Sequence, residues 1–308
     1  MSSTFFTTDD GDIILRAGPE ADSKHDFRVH KVILSLASPV FKDMFTFPQP
    51  PDQTSNEHHQ LPIVDVLDPP KDLDMILRFV YPGIEPPNIV EPQTLTTLLS
   101  MADKYNIASI YPALRGVLKT FLPRCPFLAY IIACRFGFLE EAKGAAKASR
   151  MASFLYTDYR EDLQHIPSTD LFRLVQFLHQ REHYGRAKIH DALGPVPLDE
   201  FVECQHGDDA KEYYFRLEKA VEEAFVENPC VESKDLFTVL DKIPDPPPGC
   251  KPPPKAAEWY YEGGDENAFN CPLQPMTIRR RLADVAEELD EHNDVMLDKF
   301  FGKGVGSG

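Results

Sequence analysis

The residues best suited to chemistry are thinly spread. His179 and His183 stand four apart on one helical face, a spacing at which two imidazoles can hold a metal ion. No carboxylate or cysteine is placed to complete a defined site around them. Cys204-x-His206, with Cys230, Cys250 and Cys271, offers soft ligands, but these spacings match no zinc module. His58-His59 lies in a polar stretch and reads as solvated. The chain has no G-x-G-x-x-G behind a strand, no G-x-x-x-x-G-K-[ST] and no G-x-S-x-G, so phosphate cradles and nucleophile elbows are missing. No catalytic residue, cofactor-binding residue, cofactor or metal ligand is assigned, and the expectation is a protein that is not an enzyme. A metal-binding C-terminal region is the alternative that these Cys and His residues would carry.

Charge narrows the partners. A formal net charge of −17 opposes a phosphate backbone, whose binders displace counterions with Lys and Arg, so no nucleic acid is expected. Residues 191–308 hold 26 acidic and 12 basic side chains, whereas residues 124–190 hold 10 basic and 7 acidic ones. A basic middle and an acidic end are suited to pack together, although such runs more often form solvated faces. The N-terminus MSSTFFTTDDGD lacks the basic and apolar regions of a secretory leader, and no apolar stretch is long enough to span a bilayer. The expectation is therefore a cytoplasmic or nuclear chain, not secreted and not in a membrane, with its six scattered cysteines reduced. Arg279-Arg280-Arg281 is too short, at a helix start, to choose between compartments. Trp259-Tyr260-Tyr261 reads as packing onto the chain's own helices.

The elements that would position these residues follow from periodicity and punctuation. Strands are expected at 12–16, 27–30 and 61–66, the first two joined by the turn residues of AGPEADSKHD. Residues 31–37 read as a helix with Val32, Ile33 and Leu36 as its apolar face. Ser38-Pro39 starts the next helix, 39–45, with a capping hydroxyl and a proline in the first turn. Residues 48–60 form a Pro-rich polar loop. Helices follow with apolar positions at Leu73, Ile76, Leu77 and Val80, then across 94–105 at Leu95, Leu98, Leu99 and Ala102, then across 109–122 at Leu114, Val117, Leu118 and Phe121. Beyond Pro123 the pattern is helical only: 127–136, 139–149, 151–163, a helix capped by Ser168-Thr169-Asp170, 208–226, 233–242 and 276–301. Residues 244–254, PDPPPGCKPPP, read as an extended polyproline-like connector. The fold class is α+β, with a small sheet covered by helices over 1–123, antiparallel helix pairs over 124–190, and an acidic helical region over 191–308.

Four stretches carry a family resemblance. Asp12-Ile13-Ile14-Leu15 is similar to a first strand, D-[IV]-x-[LF]. Phe27-Arg28-Val29-His30-Lys31-Val32-Ile33-Leu34 is similar to F-x-[AV]-H-[KR]-x-[IVL]-L. Leu77-Arg78-Phe79-Val80-Tyr81-Pro82-Gly83 is similar to L-x-F-x-Y-[ST]-G, with Pro in the middle place. Leu98–Ile107, LLSMADKYNI, is similar to L-L-x-x-A-D-K-Y-x-[IV]. Four such stretches in one order resemble the BTB/POZ family, and the Tyr-Pro-Gly turn with its helical remainder is similar to BTB proteins of filamentous fungi.

The resemblance implies a non-enzymatic protein–protein interaction module that recruits a protein partner, with a cullin-type ubiquitin-ligase adaptor as one role. BTB-mediated self-assembly, a scaffold or a transcription-associated regulator are the alternatives. Met44, Phe45, Phe47, Tyr105, Asn106 and Tyr111 are the expected partner-binding residues. Asp12 and Lys31 match the family's charged-pocket pair and are expected to form a partly buried ion pair. His30 is expected to hold the strand-to-helix corner by bonding backbone. The stretch before Asp12 has no helical period, so a homodimer is not expected to form by an N-terminal helix swap. Met44-Phe45-Thr46-Phe47-Pro48-Gln49 lacks the apolar-x-Glu motif frequent in cullin binders.

Overall fold

The computed structural model describes residues 6, 10–19, 24–47, 61–150, 160–193, 207–227 and 275–302.

Strand periodicity builds the first layer. β1 (Ile13–Ala17) alternates buried and half-buried, which is the period of a pleated strand with one face in the core. It is the central strand of three, paired antiparallel to β2 (His25–Val29) and parallel to β3 (Ile63–Val66). The register puts Ile13 opposite Val29, Leu15 opposite Phe27 and Val64, and Ala17 opposite Val66. All seven are buried, so one face of the sheet is continuous core. The opposite face is polar: Arg16 and Asp26 stand directly across from each other, with Nε and Oδ1 2.8 Å apart, as cross-strand pairing favours. Phe6 covers the β2 edge, its carbonyl accepting from the Arg28 amide at 2.9 Å and its ring meeting Tyr81 edge-on.

Parallel β1 and β3 need a crossover, and α1 (Lys31–Ala37) and α2 (Pro39–Thr46) lie within it. Ser38 starts α2 as expected: its hydroxyl oxygen accepts from the Phe41 amide at 3.0 Å, and Pro39 takes the first turn. The same hydroxyl donates to the Tyr105 carbonyl at 2.5 Å. A fully buried hydroxyl is thus satisfied in both its roles. The expected apolar face of α1 requires correction. Leu34 is its buried residue, while Val32 and Leu36 are 63% and 84% exposed. Seven residues make two turns, and the turn that Leu34 presents to the core puts 32 and 36 on the outer side.

α3 (Pro70–Val80), α4 (Pro92–Lys104) and α5 (Tyr111–Phe121) pack in succession, burying Leu73, Ile76 and Leu77, then Leu95, Leu98, Leu99 and Ala102, then Leu114, Leu118 and Phe121. Val80 and Val117 are half-buried at the edges of their faces. A single 3₁₀ turn at Ala108–Ile110 precedes α5. α6 (Pro126–Arg135) is apolar all round, with Phe127 to Ala133 buried, and it packs on α4 and α5.

The chain divides into two compact units, Met1–Glu141 and Ala142–Gly308, at a point within α7 (Leu139–Ala148). Among the described residues the second unit is helical. It holds the short α8 (Arg160–Leu163) and three long helices, α9 (Ser168–Leu193), α10 (Gly207–Glu227) and α11 (Pro275–Phe301). α9 and α10 run antiparallel, as Arg186 facing Glu222 and His190 facing Glu218 require. α9 and α11 are antiparallel too: Phe177 meets Phe301, Tyr184 stacks on His292 and Lys188 pairs with Glu288. Leu217, Val221 and Phe225 of α10 join Leu282, Val285 and Leu289 of α11 and Ile189 and Leu193 of α9 in one core. The helix at 233–242, the loop at 48–60, the connector at 244–254, the start of the helix at 151–163, Trp259-Tyr260-Tyr261 and the Cys204–Cys271 set lie outside the described residues.

Candidate interaction surface

The corner between β2 and α1 is assembled from residues far apart in sequence. His30 donates its backbone amide to the Tyr81 hydroxyl at 2.7 Å, and its Nδ1 lies 3.3 Å from the same oxygen. Its Nε2 is 3.5 Å from an Asp10 carboxylate oxygen. His30 therefore does hold the corner, but through the phenol of Tyr81 and not by bonding backbone through its ring. Burial, with Asp12 and Asp10 nearby, outweighs the amide's opposite influence and pushes the Tyr81 hydroxyl up to about 12, so it stays protonated and able to donate.

The expected Asp12–Lys31 ion pair is replaced by a different contact. The Asp12 carboxylate accepts from the Lys31 backbone amide at 2.7 Å. Lys31 is the first residue of α1 and His30 caps nothing with its side chain, so the residue just before β1 supplies the cap from outside the helix. An anion beside a free helical amide is favourable there.

The end of α2 leads to the surface. Phe41 is buried, stacked on Tyr105 with centroids 4.5 Å apart and on Phe45 with centroids 6.0 Å apart. Met44 and Phe45 are half-buried and Phe47 is 68% exposed. Tyr105 is different: its ring is buried, and its hydroxyl donates to the Asp68 carboxylate, which also takes Lys104 at 2.7 Å. Burial and then the Asp68 carboxylate hold that hydroxyl far above its ordinary range. Tyr105 thus supports the surface from beneath and does not present its ring to a partner. Asn106 is exposed with φ of 50°. It ends α4 in the left-handed region, where the Ile107 amide returns to the Ala102 carbonyl at 2.8 Å.

Tyr111 belongs to another group. It donates to Asp103 at 3.1 Å and meets Phe138 edge-on, while the Arg115 guanidinium lies over Phe138, 5.3 Å from its centroid. Arg115 also grips Glu141 with two hydrogen bonds, at 2.8 and 3.1 Å, and Lys119 stands 3.5 Å from it. Burial pushes the Glu141 carboxyl up, but the Arg115 hydrogen bonds and the two cations outweigh it, and the carboxyl sits below its ordinary value.

The structure therefore brings Phe45 and Tyr105 to Phe41, and seats Tyr111 with Asp103 and Phe138. The residues that sequence periodicity missed are Tyr81, Asp68 and the outward pair Val32 and Leu36. Tyr81 did stand in a quoted motif, but nothing local ties it to His30. His179 and His183 are both exposed on α9, and among the described residues no three His, Cys, Asp or Glu side chains converge to hold a metal ion. Among the described residues no helix is long and apolar enough to cross a membrane.

Residues 6–122 match the family model of the BTB/POZ domain. No curated protein matches the chain.

Proposed function

We propose that this chain, in which residues 6–122 are a BTB/POZ domain, is a non-enzymatic docking protein that recruits a cullin-type ubiquitin-ligase scaffold through α1 and the end of α2. BTB domains mediate protein–protein contact, and the outward apolar side chains of these two helices carry the assignment. Val32 and Leu36, 63% and 84% exposed, lie one turn apart, and Phe47 is 68% exposed just beyond α2. A lone exposed leucine is ordinary, whereas an i, i+4 apolar stripe on a surface helix is a contact face. The aromatic stack Phe45–Phe41–Tyr105 gives that face a stiff base.

The test is affinity capture with the full chain as bait. A cullin is expected, and Leu36→Ser with Phe47→Ala is expected to cut its recovery by about tenfold, with the circular dichroism spectrum unchanged. Undiminished capture by that folded double variant removes the assignment. Self-association is the second reading, favoured by the α1 stripe, because such a stripe can pack against its own copy about a two-fold axis. Light scattering at high concentration distinguishes the two: a dimer that Val32→Lys dissociates supports self-assembly, and a strict monomer removes it.

A further inference from the structure

Among the described residues of the second unit, a run of ion pairs lies along one helix. Glu288 of α11 pairs with Lys188 at 2.6 Å, Asp290 and Asp294 pair with Lys147 at 2.8 and 3.1 Å, and Asp298 pairs with Lys143 at 2.8 Å. Asp290, Asp294 and Asp298 recur every four residues along one flank of α11, and Glu288 lies on the other flank. On its inward side Leu282, Val285, Leu289 and Met296 are buried. The two sides together make an acidic amphipathic helix lying in a lysine-rimmed apolar groove, a known way for a helix to be recognised.

The lysines and carboxylates are unequally placed. Lys143, Lys147 and Lys188 are 13–32% exposed, whereas their partners on α11 are 46–69% exposed. The groove thus holds its cations against the protein surface, and the anions on the outer rim meet solvent and salt.

We propose that α11 is a releasable helix, and that its groove accepts a partner's acidic amphipathic helix in its place. A competitor of the same chemistry restores the contacts it displaces, so exchange costs little beyond the advantage of a helix carried on the same chain. Because α11 belongs to the same chain as its groove, a separate partner must compete by tighter binding. The proposal concerns the second unit alone and does not depend on what the BTB/POZ domain recruits.

Hydrogen exchange on the full chain tests it. Raising NaCl from about 50 to about 500 mM shortens the Debye length severalfold, and is expected to speed exchange across 282–297 about tenfold while that of 174–189 changes less than twofold. Lys147→Glu is expected to reproduce this at low salt. Adding Asp290→Lys and Asp294→Lys to it is expected to restore protection, which separates charge from misfolding. A peptide of residues 275–302, at about 1 mM, is expected to deprotect α11 at low salt and not at high salt, while a scrambled peptide does neither. Exchange of α9 and α11 at one common rate at every salt concentration would overturn the proposal. So would failure of the peptide to deprotect α11.

Discussion

Each of the two units is held together internally in its own way, and the contrast shows where each is vulnerable. In the first, short elements far apart in sequence are tied by polar contacts that reach into the core. Ser38 joins α2 to the end of α4, Asp12 caps α1 from just before β1, and Arg115 neutralises a Glu141 side chain that is 1% exposed. In the second, three long helices meet along antiparallel seams, with apolar side chains inside and charges at the rim. Buried polar contacts are strong but cannot lose a partner cheaply. Rim pairs are individually weak and yield to salt.

The sharpest way to break the second arrangement is steric. Gly185 sits on α9 where a Cβ would come within 2.1 Å of the Phe225 ring of α10. Gly185→Ala is expected to cost about 3 kcal/mol, despite alanine's better helix propensity, measured by urea unfolding of the full chain. A stabilised variant would show that the α9–α10 seam is loose.

The corresponding break in the first unit is electrostatic. Arg115→Ala leaves a buried carboxylate with Lys119 alone, and is expected to cost about 2 kcal/mol, below the usual range for a buried pair because Arg115 is 40% exposed. Because the Glu141 carboxyl is lowered in the folded protein, its contribution is full above the ordinary glutamate value. It is lost as pH falls through the folded value. Arg115→Ala is therefore expected to flatten the acid limb of the stability profile, and an unchanged acid limb would mean that Glu141 does not govern it.

A smaller effect separates backbone geometry from surface contact at Asn106. Asn106→Gly is expected to change stability by only a few tenths of a kcal/mol, since glycine adopts positive φ freely, while Asn106→Val is expected to lose about 1 kcal/mol. Thermal melts of both check this. If the glycine variant also keeps partner binding, Asn106 acts only as a helix terminator.

The smallest effects distinguish the two seams of the second unit. The hydrogen bond and charge of Glu218 raise His190, whereas burial, with Lys188 and Lys299 nearby, lowers His292. His190 thus supports the α9–α10 seam below the ordinary histidine value and loses that support as pH rises through its folded value. His292 favours the α9–α11 seam above the ordinary value and opposes it as pH falls. Proton NMR titration is expected to place the two imidazoles on opposite sides of the free histidine value; coincident titrations would remove the distinction.

Much of the first unit was legible because local signals agreed. Ser38-Pro39 marked a helix start whatever lay around it, and the four-residue repeat Leu95, Leu98, Leu99, Ala102 has one buried face in any packing. α1 was not legible in this way. Val32, Ile33, Leu34 and Leu36 cover most of a two-turn helix, so periodicity could not say which side faces the core. Tyr105 was equally opaque: an aromatic at a helix end reads the same whether it points outward or stacks on Phe41.

What the sequence determined by itself was the order and type of the elements among the described residues, the α+β class and the BTB/POZ motifs, because these depend on residues within a few positions of one another. The tertiary structure decided the rest. It joined His30 to Tyr81 and Lys147 to Asp290, turned Leu36 outward and Tyr105 inward, and drew Phe225 against Gly185. Those outcomes rest on distances between segments that chain proximity does not constrain, and only the packing of whole elements sets them.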